Sequence, residues 1–155
     1  TRLRAEVLLD AVTDITGVPT NFEAVPTGAR ATQIWTTRVN SVFLDTFGRP
    51  NENQDPPCER QGEATVTQTL HLMNAPELHA RLTSEQGRAA QLAASPLTPA
   101  QLTTEIYLLV YGRLPVEEEL QVGERVYATA GSSRRQATED LMWALLNTPE
   151  FAFKD

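Results

Sequence analysis

One phrase is written twice in this chain. Leu72-Met73-Asn74-Ala75-Pro76-Glu77-Leu78 returns as Leu145-Leu146-Asn147-Thr148-Pro149-Glu150-Phe151. Each copy follows an apolar run at helical spacing. Asn tolerates the strained end of a helix, Pro suits the first turn of the next, and a Glu in that turn meets the positive end of the helix dipole. Both copies therefore read as joints between two helices, which commits the chain to a mainly helical fold.

The rest of the pattern agrees. Leu3, Val7, Leu8, Ala11, Val12 and Ile15 share one helical face, and Gly17 stops it, so residues 3–16 are predicted to form an amphipathic helix. Residues 18–64 show little helical period. Within them, residues 33–43 are rich in Thr, Val, Ile, Trp and Phe and have room for a short strand. From Thr65 onward the reading is helix throughout. Thr65-Val66-Thr67-Gln68 and Thr83-Ser84-Glu85-Gln86 fit capping boxes, and Gly87 interrupts the second early. Thr98-Pro99-Ala100-Gln101 is the strongest helix start, and that helix is expected to end at Gly112. Another begins at Pro115 with Glu117, Glu118 and Glu119 in its first turn. The last long one is capped by Ser132 or Ser133, with Ala137, Leu141, Ala144 and Leu145 as its buried face and Trp143 at one edge.

A looser phrase also recurs. Phe47-Gly48-Arg49-Pro50 is echoed by Tyr111-Gly112-Arg113-Leu114-Pro115. Each supplies an aromatic anchor, a reversing glycine, an arginine suited to capping carbonyls and a proline. An ancient duplication and independent use of good helix punctuation both account for it.

Charge and composition exclude several functions. The net charge is -7 and the only adjacent basic pair is Arg134-Arg135, which is no footprint for phosphates. No apolar run is long enough to cross a bilayer as a helix. The single cysteine, Cys58, cannot form an internal disulfide, and a nucleophilic role would need a base that the sequence does not place beside it. His71 and His79 lie about 12 Å apart along a continuous helix, too far to share a metal. The Glu117-Glu118-Glu119 run lacks the spacing of a calcium loop. No metal or other cofactor is expected.

The best chemical candidates are carboxylates. Glu6 and Asp10, four residues apart on the first helix, share a face. Glu59, with Arg49 and Arg60, comes from the irregular segment. Paired carboxylates split their pKa values and serve as acid and base, whereas neighbouring arginines hold both ionised. The cluster Glu6, Asp10, Arg49, Glu59 and Arg60 is thus either catalytic or an ion-pair network pinning the irregular segment to the helices. Trp35 and Trp143 are either core anchors or stacking surfaces for a sugar.

The chain also resembles a C-terminal domain of planctomycete proteins, domain of unknown function 1553. The resemblance is carried by Arg2-Leu3, Ala5-Glu6 and Asp10, then by Phe43-Leu44, Phe47-Gly48-Arg49-Pro50 and Cys58-Glu59-Arg60. It continues through Gln68, Leu70, Met73-Asn74-Ala75-Pro76, Tyr107, Gly112-Arg113, Pro115 and Glu118-Glu119-Leu120. It ends with residues 140–147 and Glu150-Phe151. Two positions depart from the pattern: Pro56-Pro57 stand before Cys58 where members often carry a second cysteine, and Val116 replaces the usual hydroxyl residue at a helix start. The resemblance implies an exported, extracytoplasmic setting at the end of a multidomain protein, often with a cytochrome-c-like module elsewhere in the parent.

The combined expectation is one domain over residues 1–155, a C-terminal piece of something longer. It should hold about five or six helices in a bundle, with a long irregular segment packed on it. The function expected is a non-catalytic structural or interaction module that docks on its upstream domain or on a partner protein. The alternatives are an enzyme acting on polysaccharide, with Glu6, Asp10 and Glu59 as acid and base, and a module binding sugar or metal.

Overall fold

Four helices of 12 or 13 residues carry the architecture, and short ones join them. A computed structural model describes residues 3–23, 25–26, 28–34, 39–46, 76–129 and 131–152. Along these the chain forms α1 (Ala5–Thr16), a 3-10 turn η1 (Ala31–Gln33), α2 (Val42–Thr46), α3 (Pro76–Leu82) and α4 (Arg88–Ala94). Then follow α5 (Pro99–Tyr111), α6 (Glu117–Ala128), α7 (Arg134–Leu146) and α8 (Pro149–Ala152). The eight α-helices exceed the five or six expected because α2 and α8 are single turns that a periodicity argument does not resolve.

The helix ends follow from local chemistry. Thr98 caps α5 in a full capping box: its Oγ1 accepts from the Gln101 N–H at 3.3 Å, and its own N–H donates to the Gln101 side chain at 2.8 Å. Ser133, rather than Ser132, caps α7 by accepting from the Gln136 N–H at 3.1 Å. Gly17 and Gly112 end α1 and α5 in the left-handed conformation, with φ 69° and 70°.

One apolar cluster unites the helices. Leu8, Leu9, Val12 and Ile15 of α1 meet Ile106 and Val110 of α5. Leu141, Met142, Leu145 and Leu146 of α7 fill the centre, with Phe43 and Leu44 of α2, Leu78 and Leu82 of α3, and Phe151 of α8 around them. Helices α5 and α6 approach closely at one point. A Cβ added to Gly123 would lie 2.3 Å from the Thr103 hydroxyl, so only glycine fits there.

Three expectations are corrected, and a fourth, the strand, is tested only where its residues are described. Residues 33–43 hold no strand where they are described: Gln33 ends η1, and Val42 opens α2, whose Leu44 N–H reaches the Ser41 hydroxyl at 3.3 Å. A local side-chain cap outweighs β-propensity in so short a run. No helix opens at Thr83; α4 starts after Gly87, whose Cβ position is crowded by the carbonyls of Arg81, Ser84 and Thr16. The buried face of α1 includes Leu9 and Asp10 while Val7 is exposed, because η1 and α2 cover a flank of the helix. On α7, Ala144 is exposed, and Met142 and Leu146 are buried instead.

Candidate functional site

A groove of about 690 Å³ lies between α6 and α7, with α5 at its base. Val122, Val126 and Thr129 recur at helical spacing and form the α6 wall. Gln136, Asp140, Trp143 and Ala144 form the α7 wall. Tyr107 of α5 and Leu141 and Leu145 of α7 close the floor. Val122 is 47% exposed, so an apolar side chain faces solvent at the mouth. Among the described residues Asp140 is the only charged one lining the groove, and it is exposed.

Behind the groove, the two sequence phrases meet. Tyr111-Gly112-Arg113 closes α5, and Leu145 to Phe151 forms the joint between α7 and α8. The Tyr111 hydroxyl pairs with the Thr148 hydroxyl at 2.8 Å, and Arg113 bonds Glu150 at 2.6 and 2.9 Å. The same guanidinium makes two 2.8 Å bonds to Glu119 in the first turn of α6. It also sits 5.5 Å from the Tyr107 ring centre and 5.2 Å from that of Tyr111. Hydrogen bonds from Arg113 lower the Glu119 carboxyl to about 2 and push Glu150 down as well. Two carboxylates locked ionised on one arginine do not make an acid–base pair. Arg113 therefore reaches carboxylates more than the helix-end carbonyls expected of it; its only carbonyl contact is with Leu114, at 3.1 Å.

Asp10 occupies a different place. It is 6% exposed, on the side of α1 that faces η1. Its carboxylate accepts the Ala31 N–H at 2.7 Å, the Thr32 N–H at 3.1 Å and the Thr32 hydroxyl at 2.7 Å, with Arg30 Nε at 3.5 Å. It thus caps the start of η1 from outside, satisfying amides that the short turn leaves free. Glu6, four residues before it, is half-buried and also has a partner. Arg49, Glu59, Arg60 and Trp35 lie outside the described residues, as do Cys58, His71, Asn74 and the box at Thr65. Of the predicted aromatic contacts, Trp143 is half-buried on the groove wall.

Sequence reasoning did not single out the arginines that hold the irregular chain. Arg81, 6% exposed, donates to Thr13 Oγ1, the Val18 carbonyl, Thr20 Oγ1 and Glu77. Arg134 donates to the carbonyls of Ala93, Ser95 and Leu97, and Arg135 to those of Thr83 and Ser84 while pairing with Glu139. The adjacent basic pair is therefore spent within the molecule. At the end of α4 the Ser95 hydroxyl takes only the Leu92 carbonyl, at 2.6 Å, which leaves the others to Arg134.

Among the described residues, no group of three His, Cys, Asp or Glu side chains is placed to hold a metal ion, and no helix is long and apolar enough to cross a membrane. The fold and groove define a mainly helical protein in which Asp10, Glu119 and Glu150 are tied up in hydrogen bonds. The chain belongs to the family described as PSD1, protein of unknown function (DUF1553), whose model matches residues 1–127. No curated protein and no solved structure matches it. The match stops inside α6, yet α7, beyond it, supplies the centre of the core.

Proposed function

We propose that this chain is a non-catalytic docking module of a larger, exported protein, and that the groove between α6 and α7 receives another polypeptide segment. The observation that carries the reading is the use made of Asp10. A catalytic acid or base must reach solvent or substrate, and this carboxylate is buried and fully occupied by Ala31 and Thr32. Arg113 commits Glu119 and Glu150 in the same way. The groove, by contrast, presents Val122 to solvent and sets Val126 and the half-buried Trp143 along its walls. The family resemblance supports the exported, multidomain setting.

The test sets stability against turnover. Asp10→Asn is expected to lower the melting temperature by several degrees, with no activity on polysaccharides in either form. Polysaccharide hydrolysis by the wild type, lost in an Asp10→Asn protein with an unchanged melt, would overturn the reading.

A further inference from the structure

The lining of the groove says what kind of segment fits. Its long walls are two helices, whose backbone amides and carbonyls are bonded within themselves, and Thr129, Gly131 and Ser132 line the end where the chain passes between them. An extended peptide laid between them would bury its own backbone groups without partners, whereas a helix brings its backbone already satisfied. The α7 wall from Gln136 to Ala144 spans about 12 Å at the helical rise, roughly two turns of a partner helix.

Charge narrows the choice further. Among the described residues Asp140 has no hydrogen-bond or ion-pair partner, whereas Asp10, Glu119, Glu139 and Glu150 all do. It stands one turn before Trp143 and Ala144 on an otherwise uncharged wall. Burying it beneath an apolar ligand leaves a desolvated carboxylate; a cation on the ligand removes that cost. A second copy of this chain is a poor electrostatic match, with 20 acidic against 13 basic residues. A sugar also fits badly, because the Tyr107 ring is occupied by Arg113 and by the edge of Tyr111, at 5.4 Å.

Resting on the docking reading above, we infer that the groove takes an amphipathic helix whose apolar face packs on Val122, Val126 and Trp143 and whose lysine or arginine pairs with Asp140. Such a ligand shows leucine or isoleucine at i, i+3 or i+4, and i+7, with the cation beside that stripe.

The test uses the 155-residue protein and two synthetic amphipathic helical peptides of about 16 residues, identical except for one flanking lysine or glutamate. Affinities are measured by calorimetry. The lysine peptide is expected to bind the wild type about fivefold more tightly than the glutamate peptide. Asp140→Lys should reverse that order, and Val122→Glu should abolish binding of both without changing helix content. Equal binding of the two peptides, or indifference to Asp140→Lys, overturns the inference while leaving polypeptide docking intact. Failure of both peptides to bind overturns it as well. If the groove instead takes an oligosaccharide, or self-associates in sedimentation with loss in Val122→Glu, the inference falls; saccharide binding also removes the docking reading.

Discussion

Arg113 grips Glu150 across 37 residues of chain, through bonds of 2.6 and 2.9 Å. This contact joins the two phrases that punctuate the sequence. The aromatic-Gly-Arg phrase ends α5, the Asn-x-Pro-Glu phrase opens α8, and their charged residues close on each other. Asn147 ends α7 by donating its side-chain amide to the Trp143 carbonyl at 2.8 Å, and Thr148 caps the next turn at the Phe151 N–H. The punctuation of this half is one clasp made in two pieces.

The clasp predicts acid sensitivity. The Glu119 carboxyl is held at about 2 against an ordinary 4.5, so its contribution is complete above about pH 4.5 and is lost as the pH falls toward 2. Glu150 is shifted in the same direction. Partial exposure limits the effect to about 1 kcal/mol for Glu119. Glu119→Gln should lower the melting temperature at pH 7 and flatten its decline between pH 4.5 and 2.5, read by circular dichroism.

Gly123→Ala should destabilise the protein by about 1–3 kcal/mol. In an open helix interior the same change stabilises, so the sign is diagnostic of the close contact with Thr103. Adding Thr103→Ala should recover part of the loss, although it also removes the bond to the Pro99 carbonyl. Urea denaturation of the two single variants and the double variant checks the coupling.

Asp10→Ala leaves three donors at the start of η1 without their acceptor. A cost of about 3 kcal/mol is expected, together with faster hydrogen exchange at Ala31 and Thr32. Asp14→Ala is the control: that residue is exposed and its pair with Arg30 lies at the surface, so the loss should stay under about 1 kcal/mol.

Ending the chain at residue 127, where the family match stops, removes Leu141, Met142, Leu145 and Leu146 from the core. The shortened chain should show no cooperative melt and a collapsed amide spectrum by nuclear magnetic resonance, whereas the full chain should melt cooperatively.

Helix starts and stops were the most legible part of the sequence, because caps are local: Thr98, Gln101, Gly112 and the Asn147 joint all stand where their chemistry put them. Asp10 was singled out by its place on α1, but its partners, Ala31 and Thr32, come from a turn 21 and 22 residues away with no pattern of its own. Of the strand expected over residues 33–43, residues 35–38 lie outside the described residues, and at its end Val42 opens α2 because Ser41 offers a cap. Helix α1 was misread at Val7 and Leu9 because its covered flank depends on η1 and α2, which periodicity alone does not position. The groove was legible only as Trp143; Val122 and Val126 look like core residues until α5 and α7 are in place.

The most direct test of docking is hydroxyl-radical footprinting of the groove in the protein inside its own cells, compared with the purified 155-residue chain. Val42 of α2, 70% exposed, serves as the reference. Oxidation of Trp143 and Val122 is expected to fall several-fold in cells while Val42 stays unchanged. Equal oxidation of Trp143 and Val122 in the two settings would contradict the account.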